Sequence, residues 1–160
     1  MKLLSRLAAW LQLMFRRPPR QQYAALCYRQ DPASDHVKVL LVTSRDTGRW
    51  IIPKGWPMGD KPPHGVAAQE AYEEAGVKGE VEREPLGYYL YNKVLKDDFA
   101  IGCRVQVHAL QVERLLDDYP EKDQREAHWF DYEVAAQQVR EPLLKSLILE
   151  FGHRMERRAA

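Results

Sequence analysis

Cysteine is scarce in this chain. Only Cys27 and Cys103 occur among 160 residues, far apart and each within an apolar run. No CxxC spacing exists, which argues against a zinc site or a disulfide framework and favours buried free thiols in a reducing, cytoplasmic compartment. Net charge is nearly absent as well, with 24 Lys and Arg against 23 Asp and Glu. Bulk electrostatics therefore gives no reason to expect a nucleic-acid polymer as partner. No apolar run reaches the ~18 residues of a membrane span. There is no internal repeat and no low-complexity tract, and the length suits one domain with a full hydrophobic core.

What charge asymmetry exists lies at the start. Lys2, Arg6, Arg16, Arg17 and Arg20 all precede the first acidic residue, Asp31, and Leu3, Leu4, Leu7, Trp10, Leu11 and Met14 recur at helical spacing until Pro18 and Pro19. The pattern reads as a basic amphipathic helix over residues 1–20, distinct from a domain over residues 21–160. Its apolar face is expected to pack on its own domain or on a second subunit, in a monomer or homodimer. Attachment of residues 1–17 to a membrane surface is the alternative, and it is not favoured. A secretory signal fits poorly, because basic residues and prolines stand where a small-residue cleavage site would be.

Further along, residues 21–30, 36–45 and 49–55 read as strands, and 55–65, with three glycines and three prolines, as a loop. Pro62 and Pro63 suit a helix's first turn and Gly76 its cap, which frames a helix over 63–75. Residues 79–95 and 99–112 read as two long strands joined by a turn at Lys96, Asp97 and Asp98. A polar loop at 117–127, a strand at 128–132 and helices at 133–139 and 141–158 complete the pattern; the last carries an apolar stripe through Leu144, Leu147, Ile148 and Phe151. Strands followed by scattered helices predict an α+β fold, a sheet covered by helices.

The helix at 63–75 crowds three carboxylates. At 100° per residue, Glu70, Glu73 and Glu74 fall within an arc of about 100°, while Ala67, Ala68, Ala71 and Ala75 gather elsewhere and can seat the helix on a sheet. Like charges at these spacings cost a few tenths of a kcal/mol each. A solvated acidic face is one explanation. A hard divalent cation, which takes oxygen ligands, is the other.

From Gly55 the chain reads G-x5-K-x7-Q-E-A-x-E-E-x-G-V, ending at Val77. This resembles the Nudix box, G-x5-E-x7-R-E-U-x-E-E-x-G-U with U aliphatic, at Gly55, Glu70, Ala71, Glu73, Glu74, Gly76 and Val77. Lys61 and Gln69 replace the family's first Glu and its Arg, two groups that support the site's geometry. The resemblance implies a Nudix-like α/β/α sandwich with a mixed β-sheet between helices. It also implies a Mg²⁺-dependent enzyme, with Mn²⁺ as a substitute, that cleaves a pyrophosphate bond in a small anionic polyphosphate. Glu70, Glu74 and the Gly55 carbonyl would be metal ligands, and Glu73 the base or a further ligand. A catalytically weakened Nudix-fold module that binds or regulates is the alternative, because of the two replacements.

Outside the box, the layout is similar to the diphosphoinositol polyphosphate phosphohydrolase branch, in which Ser44, Arg45 and Arg125 would contact phosphate. The plainer readings are ion pairs, of Arg45 with Asp46 or Asp60 and of Arg125 with Glu121. Pro53-Lys54-Gly55 also resembles the diadenosine tetraphosphate hydrolases, which would make Lys54 a phosphate contact, with a merely solvated side chain as the rival role. Trp56, Tyr89 and Tyr91 are candidates to stack on a base, with ordinary packing as the rival role. Trp129 is expected in the core and His64 in the loop. A distant acidic ligand would be Glu121, Asp123 or Glu126, with Glu121 preferred.

Overall fold

The computed structural model describes residues 18–96 and 99–160. Residues 1–17, which carry the expected N-terminal helix and its packing or membrane contact, lie outside the described residues, as do Asp97 and Asp98 of the expected turn. The elements are β1 (Arg20–Gln30), β2 (Val37–Thr43), β3 (Trp50–Ile51), β4 (Lys54–Gly55), α1 (Pro63–Ala75), β5 (Val77–Val81), β6 (Gly87–Val94), β7 (Ala100–Leu115), β8 (Ala127–Asp131), α2 (Tyr132–Gln138) and α3 (Pro142–Ala159). Arg20, assigned from sequence to the N-terminal segment, instead opens β1.

All eight strands join one mixed sheet. Its centre is the parallel pair β1 and β7, aligned from Arg20 opposite Cys103 to Tyr28 opposite Gln111. β7 is long enough to serve two antiparallel partners along its other edge, β6 against its first half and β5 against its second. The single strand expected over 79–95 is thus two strands. Between them the backbone still tracks β7, through Glu82 N–H to the Ala109 carbonyl and Leu86 N–H to the Val107 carbonyl. Pro85, which has no N–H to donate, interrupts the ladder.

Residues 49–55 also divide. Trp50 pairs with Thr43 of β2, whereas Lys54 pairs with Ala24 of β1. Pro53 sits at the change of partner, and its carbonyl accepts from Ala25 N–H at 3.0 Å. The switch delivers Gly55 to the middle of the sheet, opposite Tyr23.

Alternation along the central strands builds two cores. Ala24, Leu26 and Tyr28 with Val37, Val39 and Leu41 face α2 and α3, where Tyr132, Ala135, Leu144, Ile148 and Phe151 cover them. Ala25, Cys27, Leu40 and Val42 face α1, which lays Ala67, Ala71 and Ala75 against them. The architecture is the α+β, helix–sheet–helix sandwich expected. Small residues let α1 lie close to the sheet, so its neighbouring positions are carried to the strand ends. Trp129 packs at the edge of the α1-side core, with Arg29 4.2 Å above its ring. Tyr89 is fully buried among core residues of the other side. It has no free face for a base to stack on, so of its two candidate roles packing is the one realised.

Candidate active site

α1 begins at Pro63 and stops where Gly76 takes a left-handed conformation, φ 67°, and donates its N–H back to Tyr72. A residue with a Cβ is strained at that φ, which is why glycine ends the helix there. The helix presents Glu70 and Glu74 inward, both buried, and Glu73 half-buried beside them. Gly55 meets this face from the sheet. A Cβ built at position 55 would fall within the Glu70 carboxylate, so only glycine lets backbone and carboxylate approach this closely.

A second ring of charge surrounds the carboxylates. Glu121 N–H donates to the Glu73 carbonyl at 2.9 Å, clipping the polar loop after β7 onto α1. The Glu121 carboxylate lies 3.2 Å from Arg45 Nη1 and 3.3 Å from Arg125 Nη2. Arg125 Nη2 also lies 3.4 Å from Glu74 Oε1, while its Nη1 donates to the Thr43 carbonyl at 3.0 Å. Gln69 Nε2 donates to Glu73 Oε1 at 3.0 Å. The residue that replaces the family's Arg therefore still holds a box carboxylate.

The crowding shifts protonation. Burial, and then the neighbouring Glu73 and Glu121 charges, push the Glu70 carboxyl up to about 7. Burial raises Glu74 too, against the opposing pull of Arg125 and Lys54. Desolvation holds half-buried Lys54 below the usual ammonium range, with Glu74 opposing that shift. Two carboxylates that resist ionisation mark a place short of positive charge. Glu74 Oε2 is fully buried with no hydrogen-bond partner, a state that costs free energy unless something else meets it. Two carboxylates, one with an unused oxygen, packed against the buried backbone of Gly55, suit a hard divalent cation.

Other residues singled out in the sequence fall around this centre. Arg45 is exposed and reaches Gln124 Oε1 at 3.1 Å, so its partners are Glu121 and Gln124 and not Asp46 or Asp60. Arg125 is turned inward and 8% exposed. Ser44 opens the turn after β2, donating its N–H to the Arg49 carbonyl at 2.8 Å. The Lys54 ammonium stands 5.1 Å over the Tyr91 ring, and Lys93 stands 5.2 Å over Trp56. His64 is in the first turn of α1 and not in the loop. Of the three acidic candidates in the polar loop, Glu121 is drawn into the cluster. Asp123 is exposed, and Glu126 turns its backbone to Thr43.

The chain is 32% identical over 123 residues to an Arabidopsis thaliana protein named Nudix hydrolase 12, mitochondrial. It is 37% identical over 119 residues to human diphosphoinositol polyphosphate phosphohydrolase 3-beta. This chain belongs to the Nudix hydrolase family. The matches cover 75% and 72% of this chain, which spans only 61% and 66% of those relatives' own lengths. No family model matches the chain. Among solved structures, a C. elegans Ap4A hydrolase binary complex superposes with a TM-score of 0.63 at 16% identity, covering 86% of this chain and 98% of that one. That likeness concerns the fold alone.

Proposed function

We propose that this Nudix protein hydrolyses a pyrophosphate bond in a small anionic polyphosphate, with Mg²⁺ or Mn²⁺ held by Glu70, Glu74 and the Gly55 carbonyl. The observation that carries this reading is the buried, unpartnered Glu74 Oε2 beside a Glu70 carboxylate packed on glycine. The cation supplies positive charge where the pyrophosphate gathers negative charge. Glu73, half-open and steadied by the Gln69 amide, takes the proton of the attacking water. Arg45 is exposed, at 56%, and free to turn from Glu121 toward a phosphate, with Ser44 beside it. Lys54 adds a positive charge from the sheet side. Arg125 acts from below, holding Glu74 and Glu121 in place by its buried guanidinium.

The named substrates of relatives, diphosphoinositol polyphosphates and Ap4A, define the class to try first. Both thiols are free and buried, which suits a reducing, cytoplasm-like compartment. Among the described residues no helix is long and apolar enough to cross a membrane. The test is hydrolysis across dinucleoside polyphosphates, nucleotide sugars and diphosphoinositol phosphates, with Mg²⁺ and with EDTA. Metal-dependent product from at least one compound supports the proposal. Binding without turnover of any would favour the weakened-module alternative.

A further inference from the structure

The α1 side of the sheet is only partly covered. α1 lies over Ala25, Cys27, Leu40 and Leu110, and its first turn reaches as far as His108, whose ring stands 6.4 Å from that of His64. Among the described residues, no element covers the rest of this face. Pairing sets Tyr88 opposite Gln106, Leu90 opposite Arg104, Asn92 opposite Gly102 and Val94 opposite Ala100. Gln21 of β1 lies beside Arg104 on the other flank. Leu90 is 58% exposed and Val94 64%, and the Arg104 guanidinium lies 3.9 Å over the exposed Tyr88 ring. The alternate residues Tyr89, Val105 and Val107 are buried in the α3-side core. The apolar side chains of β6 therefore form one continuous strip, which is a face without a cover and not a scatter of surface residues.

Where the chain enters the sheet shows what can cover the strip. β1 opens at Arg20, opposite Cys103. A Cβ built on Gly102 would lie 4.0 Å from Pro19 Cβ and 3.9 Å from Asn92 Oδ1, so the chain arrives over this same face. Residues 1–17 directly precede that point. At 100° per residue, Leu3, Leu4, Leu7, Trp10, Leu11 and Met14 fall within an arc of about 120°, and Lys2, Ser5, Gln12 and Arg16 fall opposite them. As a helix the segment is about 25 Å long and about 10 Å across. The open face runs about 20 Å along β6 from Tyr88 to Val94, and about 10 Å across from β1 to β6. The two fit in both dimensions.

We propose that the face formed by Tyr88, Leu90 and Val94 is the seat of the chain's own residues 1–17, whose leucine and tryptophan stripe lies along β6 as a second helix on the α1 side. This goes beyond the pyrophosphatase reading and does not depend on it. Pro18 and Pro19 keep the connection short and stiff. The tethered stripe thus meets the face at an effective concentration on the order of millimolar, which a second copy or a lipid surface has to outcompete. Lys2 and Arg16, opposite the stripe, stay in water.

The experiment is thermal unfolding of the full chain as Leu90→Glu, Leu7→Glu and the double variant, with sedimentation velocity and flotation on phosphatidylcholine–phosphatidylserine vesicles beside it. On an uncovered face Leu90→Glu would move Tm by no more than about 1–2 °C, because the new carboxylate is solvated and gains Arg104 as a cross-strand partner. With the segment seated, the carboxylate has to be buried or the segment displaced, and Tm is expected to fall by about 4 °C or more. Leu7→Glu should give a similar fall. The double variant should fall no further than the larger single change, since either charge alone unseats the segment. Sedimentation of the parent and of Leu90→Glu should agree, and neither should float with the vesicles. Should a glutamate variant fail to fold, Leu90→Ala and Leu7→Ala are expected to repeat the non-additive pattern with smaller shifts. The proposal is overturned if either single substitution leaves Tm unchanged, if the two shifts add, if the parent sediments as a dimer that Leu90→Glu dissociates, or if the parent floats and Leu7→Glu does not.

Discussion

Replacing Glu70 by Gln should stabilise the metal-free protein while disabling it. Burial and its acidic neighbours raise the Glu70 carboxyl from its ordinary value of 4.5 to about 7 in the folded chain. Below pH 4.5 the group is protonated folded or unfolded, and it contributes no pH-dependent penalty. Between 4.5 and 7 the unfolded chain ionises first, so stability falls as pH rises, and above 7 the loss is complete. The ceiling on that loss is about 3 kcal/mol. Solvent screening around a carboxyl at the edge of a cleft reduces the expected size to ~1–2 kcal/mol. For a domain of this length that is about 3–6 °C in Tm. Thermal melts in EDTA should therefore show Glu70→Gln melting above the parent at pH 8 by about that amount, with the gap closing near pH 4.5. Adding Mn²⁺ at pH 8 should raise the parent and not the variant, because ligand binding stabilises only a chain that has the site. A variant that melts below the parent at pH 8, or a gap that is equal at both pH values, would refute the reasoning.

Other perturbations separate holding from chemistry. Arg125→Met strips the buried partner from Glu74 and Glu121 and is expected to cost about 3 kcal/mol in chemical denaturation, the usual penalty for stranding a buried charge. Gly55→Ala forces a methyl group into the Glu70 carboxylate, so Mn²⁺ stabilisation measured by Tm should fall by more than half even if the fold survives. Gln69→Ala frees Glu73 from its amide; hydrolysis is expected to slow by about tenfold with little change in Tm, as for lost support of a site's acidic groups.

Much of the frame was legible in the sequence because local chemistry decides it. Pro63 and Gly76 mark both ends of α1, since one has no N–H to lose and the other accepts a left-handed φ. Alternation in β1 and β2 gives the two faces of the sheet. Glu70, Glu73 and Glu74 converge because helical geometry requires it. The breaks within 49–55 and 79–95 are less legible, although Pro53 and Pro85 stand at each. A proline signals an interrupted ladder, but whether the strand ends or changes partner depends on β1 and β7, distant in sequence. The same reason hid Arg49 with Glu141, 92 residues apart, and Arg45 with Glu121: contacts between elements leave no periodic trace. Gln69 was legible only as a departure from the box. That it holds Glu73 needed the side-chain geometry.

Direct metal binding tests the centre of the account. Mn²⁺ titration followed by electron paramagnetic resonance should show at least one ion bound to the parent at pH 8, and affinity weakened by about a hundredfold or more in Glu74→Gln, which removes the charge of the buried oxygen that lacks a partner. Equal Mn²⁺ binding by parent and variant, or none by either, would contradict it.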